Sequence, residues 1–204
     1  MLILDETYRD FIVPGPPHSL FTRDTSWDWR RHVVHLYSFS KSYCIPGYRL
    51  GAIAAAPALQ QHILTVLDCL QICPPRLAQL ALAPLLPSLR PFVRAQAVAL
   101  QHRHALFRAH LPAPWRVAAQ GGYFAFVQHP FRSLSAQHVC EVLAGEWGIV
   151  LLPAEFFGYT AEGGDASSEG RWVRFAMAHV SDDEVVMVCE RLQEHLVAST
   201  WELD

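Results

Sequence analysis

The sequence predicts an α/β protein in two parts, a partial parallel or mixed sheet with helices followed by a C-terminal α+β subdomain. Three observations carry this reading. Short apolar runs bounded by charge or by Pro/Gly turns open the chain: LILD at 2–5, VVHLYSF at 33–39 and LGAIAAA at 50–56. Helical periodicity occupies the middle of the chain, and strand-like alternation returns after Leu111. With 204 residues, 51% of them hydrophobic and 17% charged, the chain has the length and composition to bury a core.

Taken in order, LILD is short, apolar and ends in charge, as a buried parallel strand does where its carboxyl end reaches a site. A loop around Pro14-Gly15-Pro16-Pro17 follows, then the second strand, a turn at Pro46-Gly47 and the third strand. Pro57 starts a helix to about residue 73, Pro74-Pro75 breaks it, and further helices are expected over 76–86 and 88–111. Trp115–Ala119 and Tyr123–Gln128 alternate as strands around Gly121-Gly122, a helix runs over about 135–147, and Ile149–Leu152 is a short buried strand. A Gly/Ser/Glu-rich loop over 161–170 leads into the strand WVRFAMA, and Ser181 with Glu184 forms a capping box for the last helix. The expected division is 1–86, a connecting helix over 87–110, and 111–204. Two or three strands are too few for the sheet they imply, so the chain reads as the back part of a longer fold.

Composition excludes several classes. A formal net charge of -3 and the lack of any Lys/Arg run argue against binding nucleic acid or an anionic membrane surface. No apolar run approaches the roughly 20 residues of a membrane span, and MLILDE meets acid too early for a secretory leader, so a cytoplasmic setting is expected. The five cysteines, Cys44, Cys69, Cys73, Cys140 and Cys189, are odd in number and scattered, which suits reduced thiols. Cys69 and Cys73 lie one helical turn apart and read as buried small hydrophobes rather than metal ligands, because no second Cys/His pair follows. The eleven histidines form no metal signature, and His102 and His104 fall on opposite sides of a helix as solvated residues.

The most informative count is lysine. The 16 basic residues are 15 Arg and a single Lys, Lys41. A lysine amine can form an imine and an arginine cannot. Chance and codon bias can also leave one lysine, so the neighbourhood has to decide. Four places stand out in it: Asp5 with Tyr8, Ser38–Lys41, Arg49 and Arg174. Singly, each fits an ordinary duty: Asp5 as a strand-end carboxylate or cap, Tyr8 and Tyr123 as amphipathic core residues, Arg49 and Arg174 as surface charge. Their order says more: DETY at 5–8, SFSKS at 38–42, PGYRLG at 46–51, GGYF at 121–124, LPAEFFG at 152–158 and VRF at 173–175.

In that order and spacing the chain resembles the C-terminal half of pyridoxal-phosphate-dependent aminotransferases of fold type I, the class I/II group. The resemblance implies a transaminase that passes an amino group between an amino acid and a 2-oxo acid through a Lys41 Schiff base. Asp5 would keep the cofactor's ring nitrogen protonated, and Tyr8 would donate to its phenolate oxygen. Arg49 and Ser38, with Ser40, would bind the phosphate, and Arg174 would pair with the substrate carboxylate. A homodimer is implied, as is the absence from this chain of the N-terminal half of the fold. That half carries the glycine turn, the stacking aromatic and an asparagine, and the present sequence contains no asparagine. A carbon–sulfur β-lyase of the same fold shares all of these residues, and an inactive fragment serving as an interaction module is the reading from another class.

Overall fold

In the computed structural model, which describes residues 1–12, 15–22, 28–158 and 170–203, the first two apolar runs become parallel neighbours. Strand β1 (Leu2–Asp5) pairs with β2 (Val33–Ser38), Asp5 opposite Leu36. The four-residue helix α1 (Trp29–His32), capped by Asp28, delivers the chain into β2. Helix α2 (Phe39–Ser42) follows at once, and β3 (Gly51–Ala54) returns antiparallel to β2, giving a mixed sheet in the order β1-β2-β3. Then come α3 (Pro57–Leu70), α4 (Arg76–Leu82) and the long α5 (Leu86–His110), which together bear out the helical middle.

The chain falls into two compact units, Met1–Val98 and Ala99–Asp204. The core of the first gathers Phe11, Val33, Val34, Tyr43, Leu50 and Val93. Its sheet corrects one expectation. LILD is parallel, but it is not buried: Leu2 and Ile3 are 42% and 65% exposed, and Asp5 is exposed. β1 stands at the sheet's edge, and among the described residues no further strand pairs with it. Helix α3 behaves alike, for it buries none of its residues. That overturns the burial expected of Cys69 and Cys73, which with Cys44 are exposed.

In the second unit β4 (Arg116–Gly121) and β5 (Phe124–Gln128) form a hairpin whose turn uses Gly122 at φ +52°, a left-handed angle that glycine adopts without strain. Helix α6 (Ala136–Trp147) is capped by Ser135 and ends at Gly148, also left-handed. The short strand β6 (Leu152–Pro153) and β7 (Trp172–Ala176) complete a sheet in the order β4-β5-β7-β6. The last helix, α7 (Asp182–Ala198), begins with the expected reciprocal capping box of Ser181 and Glu184. The expected loop over 161–170 lies, apart from Gly170, outside the described residues.

One face of this sheet is the second core. Ala125, Val127 and Val173 alternate inward and meet Phe107, Val139, Leu143 and Leu192, all at most 1% exposed. Cys140 and Cys189 lie in the same interior, where burial pushes both thiols up to about 12 and leaves them inert. His104 corrects a second expectation: it is 7% exposed rather than solvated, with Nε2 3.0 Å from the Gly122 carbonyl oxygen of the hairpin turn. His102, two residues back on the opposite side, is the exposed one.

Leu192→Ala should cost about 2–5 kcal/mol, since the well-packed interior leaves a cavity in place of the isobutyl group. Leu64→Ala, at a position 57% exposed on α3, should cost less than about 0.5 kcal/mol. Urea denaturation midpoints compared across the two variants check this, and equal costs would contradict the assignment of the core.

Candidate active site

Parallel β1 and β2 finish at the same edge of their sheet, and antiparallel β3 starts there, with Ser38 opposite Gly51. Everything that follows a strand at this edge therefore meets there: Asp5 and Tyr8 after β1, Ser38–Lys41 after β2, and Arg49 before β3. In open α/β sheets this edge, outside the carboxyl ends of the strands, is where ligands bind.

The pleat sorts the side chains of this edge onto two faces. Asp5, Leu36 and Ser38 share one. Leu4, His35 and Tyr37 share the other, which Glu6 joins because its N–H continues the ladder to the Leu36 carbonyl at 2.9 Å. On the Asp5 face, the Asp5 carboxylate accepts from the Thr7 hydroxyl at 2.8 Å and from the Thr7 N–H at 3.2 Å, which turns the chain after β1. Tyr8 follows in that turn, half-buried.

The loop carrying Lys41 is tightly bound to its surroundings. Phe39 N–H donates to the Leu50 carbonyl at 3.2 Å, and Ile45 N–H donates to the Ser40 carbonyl at 3.1 Å. Ser40, Ser42, Tyr43 and Leu50 are buried and pin the loop, while Lys41 is half-buried. Arg49 adopts a left-handed φ of +52°, a conformation costly for a residue with a Cβ, and its guanidinium donates to the Pro46 carbonyl at 2.7 Å. Ser38 begins α2 without making a side-chain cap.

The opposite face holds what the sequence did not disclose. The Glu6 carboxylate, 10% exposed, takes Arg9 at 2.6 Å, His18 at 3.0 Å and His35 at 2.8 Å. Burial holds His35 below its usual range, with Glu6 pulling the other way. The Phe21 ring packs edge-on against His18, Trp29 and His35, and Arg9 lies over it. Beside this cluster, Asp10 accepts from the Tyr37 hydroxyl and from Arg90 of α5 at 2.8 Å. Burial works to raise the Asp10 carboxyl, but these two donors outweigh it and hold the group below its usual value, while burial and Asp10 both push Tyr37 upward. Glu6 stood in the sequence beside Asp5 within DETY, and the alternation of strand faces is the signal that separates their duties.

In the second unit, Arg174 on β7 lies opposite Phe126 of β5 and Leu152 of β6. Its guanidinium carbon sits 4.1 Å from the centre of the Phe124 ring and 3.9 Å from that of Phe157, on the short turn Ala154–Phe157 after β6. Among the described residues no carboxylate pairs with Arg174. Both rings belong to motifs visible in the sequence, GGYF and LPAEFFG, yet only three-dimensional packing brings them to the arginine.

The donor set of the first unit suits pyridoxal phosphate: one amine able to condense with an aldehyde, a strand-end carboxylate for a ring nitrogen, a phenol, and guanidinium and hydroxyl donors for a phosphate. Among the described residues no cluster of His, Cys, Asp or Glu could hold a metal ion, and no helix is long and apolar enough to cross a membrane.

The fold is shared with solved aminotransferases. An aromatic aminotransferase from Pyrococcus horikoshii OT3 superposes with a TM-score of 0.78 at 22% identity, over 96% of this chain and 51% of that one. A methionine aminotransferase from Escherichia coli gives 0.76 at 22% identity, over 94% and 49%. Residues 1–192 match the family model of aminotransferase class I and II, and the chain belongs to that family. Among characterised relatives it is 26% identical to the valine–pyruvate aminotransferase of Mycobacterium tuberculosis over 193 residues, which are 89% of this chain and 45% of the relative. It is 32% identical to the histidinol-phosphate aminotransferase of a Geobacter species over 136 residues, 65% and 35% of the two chains. The chain thus spans less than half the length of these relatives.

Asp10→Asn should destabilise the protein by about 2 kcal/mol near neutral pH, because Arg90 and Tyr37 lose a charged acceptor. The folded-state carboxyl lies below its ordinary value of 3.8, so this stabilisation is present above 3.8 and is lost as pH falls through the lower folded value. Denaturation midpoints of the two proteins should therefore converge in acid. A gap independent of pH would contradict the role given to the carboxylate.

Proposed function

We propose that this chain provides the lysine-bearing part of a pyridoxal-phosphate-dependent transaminase acting on an amino acid and a 2-oxo acid. The observation that carries the reading is the position of Lys41. The only lysine of the sequence stands on the tight loop at the carboxyl edge of the parallel strand pair, where Asp5 also ends its strand.

When bound, pyridoxal phosphate supplies an aldehyde that condenses with amines and a ring that accepts the electron pair of a broken Cα–H bond. Lys41 Nζ would hold the group through its aldehyde carbon and, when free, would be the base for the Cα proton. The Asp5 carboxylate keeps a proton on the ring nitrogen, and the Tyr8 hydroxyl donates to the phenolate oxygen. Arg49, Ser38 and Ser40 donate to the phosphate, and Arg174 forks onto the substrate carboxylate. Residues 1–86 form the back part of the cofactor-binding domain, 87–110 the connecting helix and 111–204 the small domain, with a homodimer as the working state.

The test begins with the 204-residue chain and pyridoxal phosphate, reduced with borohydride and mapped by mass spectrometry. The expected adduct is on Lys41 and is lost in Lys41→Arg; an adduct confined to the N-terminal amine would overturn the reading. Product analysis then separates transfer from the lyase alternative. Transfer requires a 2-oxo acid acceptor, whereas a β-lyase releases ammonia and pyruvate without one.

A further inference from the structure

A carboxylate partner occupies the N–H donors of a guanidinium, as Asp10 does with Arg90 and Asp182 with Arg103. Arg174 is held differently. Two phenylalanine rings approach its guanidinium carbon at 4.1 and 3.9 Å, and among the described residues no acid pairs with it. Ring faces attract the charge through their quadrupole without accepting strong hydrogen bonds, so the cation stays in place with its donors open and its charge unneutralised. The two rings also come from different elements. Phe124 begins β5 beside β7 in the sheet. Phe157 closes the turn after β6, just before Gly158 at φ +73°, and is 47% exposed.

We infer that Phe124 and Phe157 are positioning residues that pre-order the Arg174 guanidinium for a planar monocarboxylate. This rests on the proposed carboxylate role of Arg174 and goes beyond it, by assigning the ordering of that arginine to two side chains that act through it. The physical reason is entropy. An arginine side chain has many rotamers, and fixing them on binding weakens affinity; a guanidinium already fixed against aromatic rings forgoes most of that loss. Phe157 is the informative member of the pair, because its exposure lets it be changed without disturbing the core.

The test uses the full chain and 4-methylpentanoate, a carboxylate that carries no amine and cannot react. Binding is followed by the 15N-resolved Nε–H signal of Arg174 and by titration. In the wild-type protein the carboxylate should shift that signal, and Arg174→Lys, which keeps the charge but not the fork, should abolish the specific site. Phe157→Leu, apolar but without a π face, should weaken binding roughly five- to tenfold and average the Arg174 signal toward that of a freely rotating arginine. Phe157→Tyr, which restores the ring, should bind within about twofold of wild type. If Phe157→Leu binds as wild type does while Arg174→Lys does not, Arg174 keeps its role and the inference about the rings is overturned. If wild type binds no better than Arg174→Lys, the carboxylate role itself fails and the inference falls with it.

Discussion

The pleat of two adjacent residues governs the candidate site. Asp5 and Glu6 are both carboxylates at the end of β1, and because successive strand residues point to opposite faces they cannot share an environment. Asp5 faces the edge where Lys41 lies. Glu6 faces a layer of Arg9, His18, His35 and the Phe21 and Trp29 rings, where its charge is met at 2.6 to 3.0 Å. Asp10, Tyr37 and Arg90 extend that layer and tie β2 to α5. A buried carboxylate is tolerable only when its lone pairs are filled, and Glu6 and Asp10 each meet at least two donors in this layer. A slip of one residue in the β1 register would exchange the faces of the two carboxylates and take Glu6 away from His18 and His35.

The second unit solves the inverse problem. On the proposed reading the charge needed there is positive and unneutralised, and the partners of Arg174 are rings rather than acids. The face of the sheet that carries Arg174 also stacks Phe126 on Trp172 at 5.5 Å, so aromatic surface runs along β5 and β7 beside the arginine. Its other face is the fully buried aliphatic core, centred on Val127 and Val173. One strand thus alternates between a residue that fixes the fold and a residue that presents a charge. The rigidity of the first kind places the second.

Much of this was legible beforehand, and what was missed has a common cause. The β4–β5 hairpin around Gly122 and the capping box at Ser181 follow from local chemistry, since each needs only residues adjacent in sequence, whereas the parallel pair joins Leu2 to Val33 and is legible only from the two apolar runs themselves. The assembly of DETY, SFSKS and PGYRLG at one sheet edge follows from strand direction once β1 and β2 are parallel. Burial does not follow so easily. LILD, Cys69 and Cys73 read as interior because they are apolar, but apolarity reports only a preference, and β1 is an edge strand while α3 buries none of its residues fully. His104 failed in the other direction, for a polar residue becomes interior when a carbonyl waits for it, and Gly122 supplies one 3.0 Å away. The partners of Glu6, Asp10 and Arg174 are contacts between segments up to 80 residues apart, which periodicity cannot reveal.

The exposure of Asp5 bears on how strongly a ring cation can be held at this edge. Two unit charges about 4 Å apart gain roughly 1 kcal/mol in water and several times more where the effective dielectric is that of a protein surface. With Asp5 in contact with solvent and already accepting from Thr7, the gain available to a pyridinium depends on how much water is displaced when the ring arrives. A ring bound there would displace some, and any chain that covers β1 would displace more. Lys41 needs less help: its loop is fixed by the Phe39–Leu50 and Ile45–Ser40 hydrogen bonds. On the proposed reading, attachment to the lysine and protonation of a bound ring would be separable properties of this edge, the first governed by the loop's own geometry and the second by how completely the Asp5 face of the sheet is shielded from water.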